Sequence, residues 1–239
     1  MLETAVEQAG GADLLVLPEL AMCGYGDAAR IRCMAVHIDS DVVRRAQALA
    51  RRARMGLIFG YAERDGDVLY NAALALGADG SIRGQYRKVN LWGDHERALF
   101  AAGIPSPVMS FGPLSVGLLI CYDLEFPEAA RDLALRGADT LVVLSATGKG
   151  YEVVAEHVVP ARGYETGCHV IYANRAGADG DLAFAGFSCV SRPNGTVAVR
   201  APAEGAVLIR ATVDAAEVAA WRSEHDYLRD RREGVYRDR

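Results

Sequence analysis

Several features that mark particular protein classes are scarce in this chain of 239 residues. Its five cysteines are widely spaced and form no C-x-x-C pair, which argues against a disulfide framework and a zinc cluster. The five histidines form no H-x-H or H-E-x-x-H pair, so we expect no bound metal ion. No apolar run is long enough to span a bilayer and no signal peptide is visible, so we expect a protein of the reducing cytoplasm without a membrane partner.

The charge balance gives no reason to expect a polyanionic partner. The net charge is −5 and the sequence pI is about 5.6, which disfavours binding to nucleic acid or to an anionic membrane. The hydrophobic share of 51% and the charged share of 24% are typical of a globular protein. The length suits one large core, so we expect a single domain over residues 1–239.

Short apolar runs alternate with helical segments rich in Ala, Arg and Glu. The predicted strands are Leu14–Leu17, Gly56–Tyr61, Val116–Ile120, Thr140–Leu144 and His169–Ala173. The predicted helices are Met1–Gly10, Asp41–Arg54, Pro127–Arg136 and Val153–Thr166. Asp79-Gly80 and Asn194-Gly195 each predict a β-hairpin, over 70–87 and 186–201 respectively. Helices, parallel strands and hairpins together predict a mixed α/β fold.

Cys121 ends the apolar run from Val116 to Ile120 and precedes the helical segment that opens at Pro127. A run without polar alternation is typical of a strand buried on both faces, and α/β proteins bind ligands at such strand ends. Nearby backbone N–H groups favour a thiolate, which makes Cys121 a candidate nucleophile. The alternative is a packing role, because free cysteine is among the most buried residue types.

Two further strand ends carry groups that a reactive thiol needs. Glu19 follows the strand Leu14–Leu17 and the rigid Pro18, and Lys88 follows the second arm of the first hairpin. A carboxylate supplies a general base, and a fixed cation stabilises an oxyanion. Taken singly, Glu19 and Lys88 are better explained as solvated surface residues, and it is their occurrence together at the ends of separate strands that favours a catalytic role.

These residues lie in motifs that resemble the three signature segments of the nitrilase superfamily of carbon–nitrogen hydrolases. The motifs are Leu17-Pro18-Glu19-Leu20, Tyr86-Arg87-Lys88, and Leu119-Ile120-Cys121-Tyr122-Asp123 with Phe126-Pro127-Glu128. They occur in the family's order. The likeness extends to Asn71, to Tyr172-Ala173-Asn174-Arg175 and to Asn194-Gly195, so it spans nearly the whole chain.

The resemblance implies a four-layer α-β-β-α sandwich with mixed sheets and a role for each motif residue. Glu19 would be the general base, Cys121 the nucleophile, and Lys88 would stabilise the oxyanion with the backbone N–H of Tyr122. Glu96, eight positions after the lysine, would position the substrate or the attacking water. Considered without the resemblance, Glu96 would be a surface residue of a helix.

The Tyr-Asp pair after the cysteine is similar to that of amidases, whereas true nitrilases usually carry Trp-Glu. The longer pattern resembles aliphatic and ω-amino-amide amidases such as 5-aminopentanamidase, whose substrate carries an ammonium group. Glu125, Asp123 or Glu152 is a candidate partner for that group. The expected reaction releases ammonia from a small linear amide. N-carbamoyl amine hydrolysis, nitrile hydrolysis and a non-catalytic binding or scaffold role remain as alternatives.

The chain departs from the family pattern in two places. Asn90 stands where relatives usually carry His, so this position can form hydrogen bonds but cannot titrate. Relatives also usually have a strand before the first helix, so we expect either a truncated start or a sheet position that is empty or filled differently. The aromatic and charged tail from Trp221 to Arg239 predicts a homodimer or higher homo-oligomer.

Two glycine-containing segments resemble nucleotide-binding loops without matching them. Gly24-Tyr25-Gly26-Asp27-Ala28-Ala29 follows G-x-G-x-x-A but does not open directly from a strand. Thr147-Gly148-Lys149-Gly150 lacks the full phosphate-loop frame and is interpreted as a loop lining the Cys121 pocket. No G-x-S-x-G is present, which disfavours a serine hydrolase. We expect no cofactor.

Overall fold

The computed structural model describes residues 2–232, 234 and 235. The strands are β1 Leu14–Val16, β2 Gly56–Asp65, β3 Val68–Leu76, β4 Ile82–Arg87, β5 Val108–Phe111, β6 Leu114–Ile120, β7 Thr140–Ser145, β8 His169–Asn174, β9 Ala176–Asp179, β10 Leu182–Ala185, β11 Cys189–Ser191 and β12 Val197–Arg200. The α-helices are α1 Leu2–Gln8, α2 Ala28–Met34, α3 Asp41–Ala53, α4 Gly93–Leu99, α5 Pro127–Leu135, α6 Val159–Thr166, α7 Ala215–Glu224 and α8 Tyr227–Asp230. Among these residues, no helix is both long and apolar enough to cross a membrane.

Two sheets form the centre of the fold. The four-stranded sheet has the order β1-β2-β3-β4, with β1 parallel to β2 and the other pairs antiparallel. The six-stranded sheet has the order β12-β11-β8-β7-β6-β5, in which β6, β7 and β8 are parallel and the outer pairs antiparallel. Strands β9 and β10 form a separate hairpin.

Three apolar layers hold the sheets and helices together. Between the sheets, Ile58 and Ala73 belong to the same cluster as Val116, Leu118 and Val142. On the outer face of the smaller sheet pack apolar residues of α1 and α3. On the outer face of the larger sheet pack residues of α5 and α6. The order of layers is therefore helix, sheet, sheet, helix, which confirms the predicted α-β-β-α sandwich. Each helix layer buries its apolar face against one sheet.

Both predicted hairpins are confirmed. Strands β3 and β4 pair through a turn in which Asp79 accepts hydrogen bonds from the backbone and hydroxyl of Ser81. Strands β11 and β12 pair through the Asn194-Gly195 turn, where the side-chain oxygen of Asn194 accepts hydrogen bonds from the backbone and hydroxyl of Thr196. Such side-chain-to-backbone bonds are what make Asp-Gly and Asn-Gly strong turn signals.

The helix predicted over Val153–Thr166 is divided in the structure. Residues Val154–Val158 form a π-helix, which continues into α6 at Val159. Pro160 has no N–H with which to continue the α-helical ladder, so the hydrogen-bond pattern changes at this point.

The smaller sheet ends at β1, as the departure from the family pattern suggested. Among the described residues, β1 pairs with β2 alone, and no further strand joins that edge. Residues 206–213 are in no regular element, and Val207 within them is 52% exposed. Helix α1 lies where the N-terminal helix was predicted, with Met1 outside the described residues.

Candidate active site

Cys121 lies at the end of β6, an interior strand of the larger sheet, where the chain turns sharply. Its φ of 49° is in the left-handed region, which is uncommon for a residue with a side chain. Cys121 is the first residue of a 3₁₀ helix, Cys121–Glu125, and α5 begins two residues after that helix ends. The thiol is therefore raised out of the strand on a strained turn, as nucleophiles often are.

Glu19 follows β1 in a loop that crosses the neighbouring strand very closely. The Gly60 N–H donates to Pro18 O at 3.2 Å, and a Cβ on Gly60 would lie 2.4 Å from Leu20 N. Only glycine therefore fits at position 60. Arg175, at the end of β8, donates to the carbonyl oxygens of Glu19 and Leu20, both at 3.4 Å. These contacts fix the Glu19 backbone although β1 is short.

Lys88 bridges two buried carboxylates. Its Nζ donates to Glu19 Oε1 and to Glu96 Oε1, both at 2.8 Å, and all three side chains are fully buried. Burial alone would lower the pKa of Lys88, but the charges of Glu19, Cys121 and Glu96 raise it well above its ordinary value. Lys88 therefore remains a cation at any physiological pH.

The two oxygens of Glu19 have different surroundings. Oε1 accepts from Lys88 and from the Asn71 amide at 2.6 Å, whereas Oε2 has no hydrogen-bond partner among the described residues. Burial raises the pKa of Glu19, and the charge of Lys88 opposes that rise. Oε1 is thus held in place, while Oε2 is free to accept a proton.

Glu96 is fully buried and contacts Lys88, although its sequence context alone suggested a helix surface. Its Oε1 accepts from the Tyr25 hydroxyl at 2.7 Å as well as from Lys88, and its Oε2 accepts from Trp92 N at 2.8 Å. With these donors on both oxygens the carboxylate has a fixed orientation. Tyr25 was not identified from the sequence as a site residue, because its segment was considered only as a nucleotide-loop candidate.

Asp123 anchors the turn that carries Cys121, so the structure excludes it as a free partner for a substrate ammonium group. Its carboxylate accepts from Tyr86 OH at 2.6 Å, from Ile120 N at 3.1 Å, and from Asn90 N and Nδ2 at 2.8 and 3.0 Å. The side chain is fully buried. Asn90 therefore makes the hydrogen bonds expected of it.

The other two candidates for the substrate ammonium differ from each other. Glu125 is exposed as a residue, and its carboxylate makes no hydrogen bond or ion pair with the described residues. Neighbouring atoms desolvate part of the carboxyl group, which raises its pKa. Glu152 accepts from Gly150 N at 3.0 Å, and that hydrogen bond lowers its pKa. Tyr122 is half-buried and packs edge-on against Phe126, with ring centroids 4.9 Å apart.

The sulfur of Cys121 has polar neighbours beyond the charged triad. Burial raises the pKa of the thiol to about 12, and the Glu19 carboxylate adds to that effect, whereas Lys88, Ser145 and the Ala146 backbone lower it. Thr147 Oγ1 lies 3.7 Å from the sulfur. The segment that begins at Thr147 thus reaches the Cys121 pocket, as predicted.

In the segment that resembles a dinucleotide loop, backbone N–H groups that could bind a phosphate are already bonded to a side chain of the protein. Asp179 Oδ2 accepts from the backbone N–H groups of Tyr25 and Gly26 at 2.8 and 3.1 Å, and Arg30 pairs with the same carboxylate. A Cβ on Gly26 would lie 2.1 Å from Asp179 O.

Among residues 2–232, 234 and 235, no group of three His, Cys, Asp or Glu side chains is arranged to hold a metal ion.

Comparison with known proteins agrees with this geometry. The family model for carbon-nitrogen hydrolases matches residues 1–223. A protein of Pseudomonas protegens described as "Hydrolase in pqqF 5'region" is 36% identical over 97% of this chain and 82% of its own length. An (R)-stereoselective amidase of a Pseudomonas species is 34% identical over 94% of this chain and 81% of its own length.

A solved structure is similar over the same extent. The NitN amidase of Nesterenkonia sp. AN1 has a TM-score of 0.81 and 31% identity, covering 97% of this chain and 88% of its own. A variant of that amidase carries the acetamide moiety of fluoroacetamide on its active-site cysteine. With a family model that spans most of its length and a matching fold, this chain belongs to the carbon–nitrogen hydrolase family.

Proposed function

We propose that this protein hydrolyses the C–N bond of a small linear amide, with Cys121 as nucleophile, Glu19 as general base and Lys88 as oxyanion stabiliser. The observation that carries the proposal is the buried Glu19–Lys88–Glu96 ion triad, which interacts electrostatically with Cys121. Three buried charges are costly to a fold, and their persistence beside a strained thiol favours a catalytic role over a structural one.

In the first half-reaction Cys121 Sγ attacks the amide carbon as Glu19 Oε2 takes the thiol proton. The carbonyl oxygen becomes an oxyanion, which Lys88 Nζ and the Tyr122 backbone N–H stabilise. When the C–N bond breaks, Glu19 returns the proton to the leaving nitrogen, so that ammonia departs and a thioester remains on Cys121.

In the second half-reaction water replaces the thiol. Glu19 removes a proton from the water while its oxygen attacks the thioester carbon, and the same donors hold the second oxyanion. Breaking the C–S bond releases the carboxylic acid and the Cys121 thiolate, which recovers its proton from Glu19. Glu96 keeps Lys88 and Tyr25 in position through both steps.

The amide substrate is favoured over a nitrile by the Tyr122-Asp123 pair and by the similarity of the fold to the NitN amidase structure. We assign Glu125 as the partner of a substrate ammonium group, because its carboxylate is exposed and makes no hydrogen bond or ion pair with the described residues. An N-carbamoyl amine substrate is distinguished by its release of carbon dioxide together with ammonia.

Ammonia release from short aliphatic and ω-amino amides tests the assignment. Wild type is expected to release ammonia at a rate well above that of Cys121→Ala. Equal background rates for the two proteins would refute the enzyme and favour a binding or scaffold role. Carbon dioxide in step with ammonia would instead identify the carbamoyl substrate.

We further propose that the enzyme is a homodimer or higher homo-oligomer in which the C-terminal tail takes part. Residues Trp221–Asp230 pack on their own chain, where Tyr227 OH lies 2.8 Å from Tyr164 OH and Arg222 donates to Ala138 O and Thr166 O. This packing leaves Tyr227 45% exposed, and residues 236–239 lie outside the described residues. A purely monomeric mass in solution would refute the assembly.

A cytoplasmic location is also proposed, supported by the five free cysteines.

A further inference from the structure

Three hydroxyl groups form a closed ring beside the reactive thiol. Ser145 Oγ is 2.8 Å from Thr147 Oγ1 and 3.0 Å from Tyr172 OH, and Tyr172 OH is 2.8 Å from Thr147 Oγ1. Ser145 and Tyr172 are buried, and Thr147 is 8% exposed. A ring of this kind is fully satisfied when each hydroxyl donates one proton and accepts another.

Within this ring, the hydroxyl proton of Thr147 has a choice of two acceptors. Ser145 donates to Tyr172, and Tyr172 donates to Thr147. The single proton of Thr147 then has two acceptors within reach, Ser145 Oγ at 2.8 Å and Cys121 Sγ at 3.7 Å. Ser145 Oγ already accepts from Thr147 N at 3.3 Å, so it is satisfied without the Thr147 hydroxyl.

We propose that the Thr147 hydroxyl is a further catalytic group, which donates its proton to the Cys121 thiolate and turns to Ser145 when the sulfur is protonated or acylated. This inference rests on the proposed function, since it assigns Thr147 to the same nucleophile. A donor to the charged form stabilises that form, and a preorganised hydroxyl does so without displacing water.

The backbone holds Thr147 rigidly enough for this role. Its N–H donates to Asn174 Oδ1 at 2.8 Å, and the Asn174 amide donates to Gly186 O at 2.8 Å. Thr147 O in turn accepts from Ala185 N at 2.9 Å. Because the main chain is fixed on both sides, rotation of one hydroxyl hydrogen is enough to switch the acceptor.

The test measures the thiolate directly. Modification of Cys121 by methyl methanethiosulfonate, followed by peptide mass spectrometry, is recorded between about pH 6 and pH 10 for wild type, Thr147→Val and Thr147→Ser. Below the thiol pKa the rate is proportional to the thiolate fraction, so a raised pKa displaces the whole profile. A hydrogen bond to a charged group corresponds to about one pKa unit or more, so Thr147→Val is expected to react about tenfold more slowly at a given pH.

Thr147→Ser keeps the hydroxyl and is expected to restore the wild-type profile. Coincident profiles for wild type and Thr147→Val would overturn the proposal, and so would a Thr147→Ser profile as displaced as that of Thr147→Val. Ser145→Ala separates the two hydroxyls, because a larger displacement in that variant would identify Ser145 as the donor and overturn the assignment to Thr147. If Thr147→Val does not fold, the pair Thr147→Ala and Thr147→Ser gives the same comparison.

Modification of the thiol needs no amide, so the two proposals fail separately. A Thr147-dependent profile in a wild type that releases no ammonia would refute amide hydrolysis and leave the thiolate contact standing. Ammonia release with coincident profiles would leave hydrolysis standing and refute the contact.

Discussion

The two sheets of this protein support the active site in different ways. In the larger sheet, β7 is buried at all six positions and pairs with β6 and β8 along its length, so the neighbouring strand end that carries Cys121 is rigid. In the smaller sheet, β1 has three residues and, within the described part of the chain, pairs with β2 alone, yet Glu19 follows it. Glu19 is instead fixed by Gly60, Asn71, Lys88 and Arg175.

Strand pairing is therefore not the only way to position a candidate catalytic group. Where an edge strand is short, buried hydrogen bonds from neighbouring elements supply the rigidity. The consequence is that the smaller sheet depends on single side chains whose loss is costly.

The largest effect is expected at Lys88, which follows the smaller sheet and forms ion pairs with Glu19 and Glu96. Lys88→Met leaves Glu19 and Glu96 as buried carboxylates without their cation and removes an oxyanion donor. We expect about a thousandfold loss of ammonia release and about 3–5 kcal/mol loss of stability. Initial rates and denaturant unfolding measure the two effects.

Lys149→Met is the matched control, because Lys149 is exposed and its ion pair is with the exposed Glu204. It is expected to unfold like wild type, since exposed ion pairs contribute little. Near-normal ammonia release by Lys88→Met would contradict the assigned role.

The next largest effect is expected at Asp123, which anchors the larger sheet's turn. Asp123→Ala leaves Ile120 N, Asn90 and Tyr86 OH without their acceptor. Buried donors without partners cost about 1–3 kcal/mol each, so we expect about 3 kcal/mol of destabilisation in urea unfolding. A variant that unfolds like wild type would show that the turn is held by β6 alone.

A pair of leucines compares the two sheets directly. Leu141 in β7 is 0% exposed and Leu15 in β1 is 4% exposed, and each packs in the cluster between its sheet and a helix layer. Leu141→Ala is expected to cost about 4 kcal/mol and Leu15→Ala about 2–3 kcal/mol, because the edge of β1 relaxes more easily around a cavity. Equal losses in denaturant unfolding would mean that the short edge is as rigid as the centre.

The smallest effect is expected at Asp179, which ties the β9–β10 hairpin to the Tyr25 loop. Burial would raise the pKa of Asp179, but hydrogen bonds from Arg30 and from the backbone of Gly26 and Tyr25 lower it to about 2. A carboxylate with a lowered folded pKa stabilises the protein above its unfolded pKa of about 3.9, and this contribution is lost as pH falls toward 2.

Wild type is therefore expected to be more stable than Asp179→Asn by about 1 kcal/mol at neutral pH, after allowance for solvent screening. The difference should shrink between about pH 4 and pH 2 in thermal unfolding. A constant difference across that range would contradict the lowered pKa.

The sequence predicted the features that have local signals. Asp79-Gly80 and Asn194-Gly195 mark turns, and the apolar run before Cys121 marks a buried strand, because each needs only neighbouring residues. The hairpin turn at Gly180-Asp181 carries a comparable signal but was not identified. The change from the π-helix Val154–Val158 to α6 has a local signal as well, because Pro160 lacks an N–H.

Contacts between distant segments had no such signal. Tyr25 and Glu96 are 71 positions apart, and Thr147 and Tyr172 are 25 apart, so their pairing depends on how the sheets pack. Glu96 was assigned to the site through the family resemblance alone, since a carboxylate in a short helix looks like a surface residue until its donors are known. The candidate site residues at strand ends were predictable, and their partners were not.

Acid-quenched peptide mass spectrometry during amide turnover detects the thioester intermediate itself. An acyl group is expected on Cys121 of the wild type, formed in step with ammonia release and absent from Cys121→Ala. An acyl group on another residue, or turnover by Cys121→Ala at the wild-type rate, would contradict the role of Cys121 as nucleophile.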